Sequence, residues 1–403
     1  MTHIRDFSFN EELSHSVISQ VCLAYLLQFN TSEPLNENVE MSSPLANYAA
    51  KHWITHTHSS GKSGCQSSIV FALIMKLLTD GNIAFLNWVQ LKNKESYDPW
   101  QESRIIQWYQ IAKPLYYASL AGLTEASCNL LEMGANVNAQ KGFYGNALQA
   151  ASVAGHESTA KMLIEKGADV NAQGGGCGNA LQAASSRGHE AIAKLLIEKG
   201  ADVNAQRGKH GNALMEALIK GHEAIAKLLV EKGADINAPG GYYGNALCVA
   251  SMRGDEAIAK LLIDKGADVN AQGGKHGNAL IEALIEGHEA IAKLLVEKGA
   301  DVNAQGGELG NALCVASIRH NEAIVELLIK KGADVNAQGG EFGNALCVAS
   351  MRGNEAIAKL LIEKGADVNA QGGKYGNALH AASKTGHRAL ITLLIEKGAD
   401  ISA

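Results

Sequence analysis

Apolar and polar residues alternate along this chain with two superimposed periods. The short one is helical. In the stretch from Gly178, Leu181 and Ala184 fall three apart, and Ile192, Leu195 and Leu196 follow i, i+3, i+4, a spacing that puts side chains on one face of a helix. Asn179 stands before the first of these helices as an N-cap, because its side chain can accept a first-turn N–H. Gly188 ends that helix in the left-handed region. A second helix follows His189, with Glu190 in its first turn and Lys199 in its last, both signs suiting the helix dipole. Each unit therefore reads as helix, turn, helix, extended turn. The long period is 33 residues: Gly-Asn-Ala-Leu starts at Gly145, Gly178, Gly211, Gly244, Gly277, Gly310, Gly343 and Gly376, with no insertion or deletion. A Gly-Ala-Asp or Gly-Ala-Asn triplet keeps the same step from Gly134 to Gly398. Carrying the register back to Lys113-Pro114-Leu115 gives nine units: 112–144, 145–177, 178–210, 211–243, 244–276, 277–309, 310–342, 343–375 and 376–403. The first 111 residues lack the period.

Two helices of this length are marginal alone in water, so neighbouring units must stack to share a core. The 33-residue period, the Gly-His-Glu-Ala between helices and the Gly-Ala-Asp-Val-Asn-Ala after them resemble ankyrin repeats over residues 112–403. The resemblance implies an all-α ankyrin-repeat solenoid of nine helix-turn-helix units. One departure is regular: the family's Thr-Pro-Leu-His opening is Asn-Ala-Leu plus a variable residue here, with Asn standing in as the cap. Long arrays of this Asn-Ala-Leu type resemble the C-terminal region of fungal NACHT-type, NOD-like proteins. Within the array, His320 replaces the glycine between helices, Arg388 replaces the first-turn Glu, and Leu218 and Leu284 put bulk where other units carry a small residue. The Glu-Ala-Leu units and the Cys-Val-Ala-Ser units after them look like a duplicated two-unit block.

The pattern in residues 1–111 predicts helices over Glu11–Phe29 (with Val17, Val21, Leu23, Leu26 and Leu27 apolar), Ser43–His56, Ser67–Leu78, Ile83–Leu91 and Gln101–Ile111. Pro44–Trp53 resembles the helical linker before the ankyrin region of the same fungal proteins. Residues 1–111 are expected to cap the first repeat, since solenoid ends need covering. The last unit keeps Leu390, Ile391, Leu393 and Leu394 with no polar helix after it. Its end is therefore exposed, a contact surface, or part of something longer.

Composition and charge narrow the function. A net charge of −6 disfavours nucleic-acid or anionic-membrane partners. The longest apolar stretch, Ile69–Met75, is too short to insert in a membrane, and no secretory signal opens the chain. Seven scattered cysteines with no Cys-x-x-Cys pair suggest free thiols and an intracellular, cytoplasmic setting. Ser59–Gly64 (Ser-Ser-Gly-Lys-Ser-Gly) is a poor phosphate loop, because His56 stands where its first glycine belongs and no strand precedes it. His52, His56 and His58 lack a metal-ligating partner in sequence and read as surface residues. The once-per-unit histidines such as His189 and His222 read as caps of the second helix. Cys248, Cys314 and Cys347 share one register and read as small packing residues. No catalytic set, metal site or cofactor is expected.

Comparison of the units shows where they differ. The residues before each Gly-Asn vary: Phe143-Tyr144, Gly176-Cys177, Lys209-His210, Tyr242-Tyr243, Lys275-His276, Glu308-Leu309, Glu341-Phe342 and Lys374-Tyr375. So does the residue after Asn-Ala-Leu, among them Met215, Ile281 and His380. Aromatics mixed with both charge signs suit a protein interface. The expected function is a non-catalytic protein-interaction scaffold that binds through these positions on the concave face. The alternative is the ligand-sensing half of a fungal NOD-like receptor without its NACHT nucleotidase.

Overall fold

In a computed structural model, which describes residues 10–30, 43–61, 68–79, 82–93, 111–208 and 210–401, each repeat begins as the capping chemistry requires. In all eight Gly-Asn-Ala-Leu openings the Asn Oδ1 accepts the backbone N–H three residues on, at 2.8–3.0 Å. The first helix then runs seven or eight residues, as in Ala180–Arg187, and stops at a left-handed residue, Gly188 at φ +80°. Where His320 replaces that glycine it still takes φ +59° and is the one non-glycine residue with positive φ among those described. The helix before it, Ala312–Ile318, is one residue shorter. The second helix spans nine residues, as in Glu190–Glu198, and buries Ile192, Ala193 and Leu196. It ends in a paired turn: Gly200 donates to the Ile197 carbonyl at 3.1 Å and Ala201 to that of Leu196 at 2.9 Å.

The chain divides into two compact units, Met1–Asp202 and Val203–Ala403. In both, the Asn of Asp-Val-Asn or Ala-Asn-Val-Asn ties one layer to the next. Asn138 Nδ2 donates to the Gly167 carbonyl at 3.3 Å and its Oδ1 accepts from Asp169 N at 2.9 Å. In the second unit the same pair of bonds recurs, for example from Asn270 to Gly299 and Asp301. The histidines between helices do a similar job and do not act as caps. His156, His189, His288 and His387 make no capping bond with their own helices. Instead each Nε2 reaches a carbonyl of the preceding first helix, at 3.1–3.2 Å: His189 to Val153, His288 to Met252. Asn321 and Asn354, in the same register, do cap, accepting from Ile324 and Ile357 N. Each amide also reaches the preceding repeat through Nδ2, Asn321 to Glu289 Oε2 and Asn354 to His320 Nδ1, both at 3.2 Å, so these residues cap and bridge at once.

In the first unit, the N-terminal block comprises α1 (Glu11–Leu27), α2 (Ala46–Ser59), α3 (Ser68–Leu78) and α4 (Ile83–Asn93). The α2 helix starts three residues later than the pattern predicts and ends three later; the expected helix over 101–111 falls almost wholly outside the described residues. Trp53 and Trp88 are fully buried against each other, edge to face at 5.5 Å, and Trp88 Nε1 donates to the Ala50 carbonyl at 3.0 Å. Phe85 and Trp88 both pack on Tyr117 of the first repeat, at 5.6 and 5.8 Å. The core face of α1 differs from expectation. Val17 and Val21 are exposed, whereas Ser16, Ser19 and Cys22 are buried beside Leu23 and Leu26. Small side chains let α1 and α2 approach closely, and Ser19 Oγ meets Thr57 Oγ1 at 2.6 Å, which removes the cost of burying either hydroxyl. Among the described residues no single helix is long and apolar enough to cross a membrane.

Candidate protein-interaction surface

The variable pairs sit on the tips of the turns that join repeats. Each tip is a tight reversal before Gly-Asn, closed by backbone bonds such as Gly142 with Gly145, or by a two-residue ladder, β1 (Gln305–Gly306) with β2 (Gly310–Asn311). Several neighbouring tips also bond to each other. Gly176 N donates to the Phe143 carbonyl at 2.9 Å in the first unit. In the second, Glu341 N donates to Glu308 O at 2.8 Å and Lys374 N to Glu341 O at 2.9 Å. Where such a bond joins two tips, their backbones meet as neighbouring strands do, closer than packed helices approach.

In each pair whose two residues are both described, the first is exposed and the second half-buried. Phe143, Tyr242, Lys275, Glu308, Glu341 and Lys374 face solvent; Tyr144, His210, Tyr243, His276, Leu309, Phe342 and Tyr375 lean onto the array. Lys209 lies outside the described residues. Phe143 and Tyr242 are 58% and 65% exposed, unusual for aromatic rings on ordered turns. Each is set edge-on to its partner, Tyr144 at 5.0 Å and Tyr243 at 5.3 Å. Lys374 Nζ bonds Glu341 Oε1 at 2.6 Å and lies 4.4 Å from the Phe342 ring centre. The hydrogen bond to that carboxylate holds the Lys374 ammonium above its usual range.

The register after Asn-Ala-Leu is a correction. Met215 and Ile281 are each 1% exposed, like Gln149, Cys248, Cys314 and Cys347 in the same place. The tip of the next repeat folds over this position. Gln149 Nε2 donates to the Gly174 and Gly178 carbonyls at 3.0 and 3.1 Å, and a side chain added at Gly240 or Gly306 would run into Met215 or Ile281. Their variability reflects what plugs beneath a tip, and neither is available to a partner. His380, the third of these residues, is exposed.

The sequence reading missed Glu216 and Glu282. Both are buried in the first helix of their repeats. Glu282 faces its own tip: Oε2 lies 2.8 Å from His276 Nδ1 and Oε1 accepts from His276 N at 3.1 Å. Glu216 Oε2 lies 3.0 Å from His210 Nδ1. The signal was present as a coincidence of register, since His precedes Gly-Asn only in the two repeats that carry Glu five residues after that Gly.

The remaining motifs carry less. Burial pushes the Cys248 thiol up to about 11 and Cys314 to about 12, which makes both inert packing groups. His52 and His58 are exposed, but His56 is half-buried, with His15 Nδ1 at 2.7 Å and the Tyr48 hydroxyl at 2.8 Å. Burial, then the charges of His15 and His52, lower its affinity for a proton. Among the described residues no group of three His, Cys, Asp or Glu could hold a metal ion. The second half of the Ser59–Gly64 motif, residues 62–64, lies outside the described residues.

A stack of two-helix units held by layer-to-layer side-chain bonds, with variable residues carried on the tips, defines a repeat protein of the helix-pair class. Residues 173–240, 241–306 and 313–403 match the family described as "Ankyrin repeats (3 copies)", and 147–197 match "Ankyrin repeats (many copies)". The chain belongs to the ankyrin-repeat family. A curated relative, the "Azaphilone pigments biosynthesis cluster protein L" of Monascus ruber, is 37% identical over 154 residues; the match covers 36% of this chain and 32% of that protein. Among solved structures, the human ASB11 ankyrin repeat domain aligns at 26% identity with a TM-score of 0.47, over 55% of this chain and 99% of that one.

Proposed function

We propose that the chain is a non-catalytic scaffold that binds a partner protein through its row of turn tips, with residues 1–111 covering the near end of repeats 112–403. Ankyrin repeats generally mediate protein–protein interaction. The observation that carries the reading here is an aromatic ring in each unit, Phe143 in the first and Tyr242 in the second, held out to solvent on a tip whose backbone is fixed by hydrogen bonds. Ordered, exposed aromatics contribute large contact area at small entropy cost. The packing of Phe85 and Trp88 on Tyr117 supports the capping role of the N-terminal block. The partner is a protein; neither nucleic acid nor membrane insertion enters the reading, and the setting is intracellular.

The test changes Phe143 and Tyr242 to Ser and Lys275 to Glu together. Proteins recovered with the parent chain and the variant are compared, and a recovered partner is titrated against both. Binding is expected to weaken by about tenfold or more, with the melting temperature unchanged. Equal affinity would sink the reading.

A narrower form makes the chain the ligand-sensing half of a fungal NOD-like receptor that lacks its NACHT nucleotidase. Its support is the Asn-Ala-Leu opening repeated through the array and the Pro44–Trp53 segment. Genomic sequence upstream of Met1 tests it: an in-frame phosphate loop supports it, and an unrelated gene or intergenic sequence opposes it.

A further inference from the structure

Glu216 and Glu282 stand where sister repeats carry Ala150, Ala183, Val249, Val315, Val348 and Ala381. Both are buried, and a buried carboxylate is costly unless something compensates it. At Glu282 both hydrogen bonds come from one residue of its own tip. Oε1 accepts the His276 backbone N–H at 3.1 Å, and Oε2 meets His276 Nδ1 at 2.8 Å. A carboxylate only accepts, so the proton must sit on Nδ1. Glu216 differs: His210 Nδ1 lies 3.0 Å from its Oε2 but outside hydrogen-bonding geometry, and the Tyr243 ring closes edge-on over that imidazole at 5.6 Å.

We propose that Glu282 is a positioning residue, clamping the tip that leads into its helix through His276 so that the residue before the histidine is presented from a rigid turn. That residue is Lys275, which is exposed. The contact runs from mid-helix to the tip that leads into that helix, so the helix and not the neighbouring tip sets this turn. The distinction matters at this tip, because no backbone bond joins it to the Glu308 tip in the way Glu308, Glu341 and Lys374 are joined. Its bearing on recognition rests on the tip reading above, but the readouts below do not.

The experiment uses the full chain with labelled histidine, at about pH 8.5 where imidazoles are neutral, as wild type, Glu282→Val and Glu282→Gln. Val is what three sister repeats carry at this position, so the helix should tolerate it. In the wild type the His276 ring is expected as the Nδ1–H tautomer. His288 is the internal contrast: its Nε2 donates to the Met252 carbonyl at 3.2 Å and must carry the proton there. In Glu282→Val, His276 should revert to the Nε2–H tautomer. Amide exchange at His276 should quicken by about tenfold or more, and exchange in Ala279–Glu286 should not change. Glu282→Gln, which keeps one acceptor, should fall between. A wild-type Nε2–H tautomer at His276, or unchanged tip exchange in Glu282→Val, overturns the proposal. So does faster exchange spread equally over tip and helix, which would make Glu282 a general core residue.

Discussion

Two glycines with the same backbone conformation should respond very differently to the same substitution. Gly254 and Gly287 each end a first helix in the second unit, at φ +78° and +82°. Alanine at either position enters the left-handed region, a strain of about 1–2 kcal/mol, partly offset by the lower entropy of the unfolded chain. At Gly287 an added methyl meets nothing within 4 Å, because the next repeat has Asn321 in place of a histidine. The expected cost there is about 1 kcal/mol. At Gly254 the methyl would strike the imidazole of His288, which lies across it and donates to the Met252 carbonyl at 3.2 Å. Displacing that ring forfeits the bond, about 1 kcal/mol, and disturbs its packing by about as much again. Gly254→Ala should therefore cost roughly 2–3 kcal/mol. Urea unfolding of the full chain measures both, read as a shift in midpoint at constant slope. The double variant Gly254→Ala, His288→Ala should cost less than the sum of its parts, since the clash is gone. Equal costs for the two glycine variants, or strict additivity in the double, would refute the view that the histidine bridges layers.

Other outcomes follow from the same contacts. Ile281→Ala should destabilise by about 2–5 kcal/mol through a core cavity, while His380→Ala, in the same register but exposed, should stay within about 0.5 kcal/mol; urea midpoints decide. His320→Gly should raise stability by about 1 kcal/mol by relieving its φ of +59°, read the same way. Burial, then the charge of His58, lower the proton affinity of His156 below its ordinary value of 6.5. The unfolded chain therefore takes up that proton first. This residue's contribution is intact above pH 6.5 and is lost as the pH falls below it. A His156→Gln variant should show a shallower acid loss of stability in melting curves taken between about pH 7 and 5.

Much of the architecture was legible because it is local and repeated. The Asn cap, the left-handed residue that ends each first helix and the apolar stripe of the second each depend on neighbours within one turn, so the residue types alone imply them. Even the substitution at His320 was readable, since only the φ of that single position is at stake. The tips were legible as places of variation, but not which member of a pair faces solvent. What the residues by themselves determined is thus the helix-turn-helix unit and its 33-residue step.

The tertiary structure decided which variable positions a partner can reach. Met215 and Ile281 vary as freely as the tip residues, yet they lie beneath the following repeat's tip, 25 residues away along the chain. The histidine that looked like a local cap reaches back 36 residues to a carbonyl. Val17 and Val21 looked like core, and a buried Ser–Thr pair between two close helices took their place. In each case the deciding contact joins segments far apart in sequence, and a helical period specifies a face without specifying what covers it.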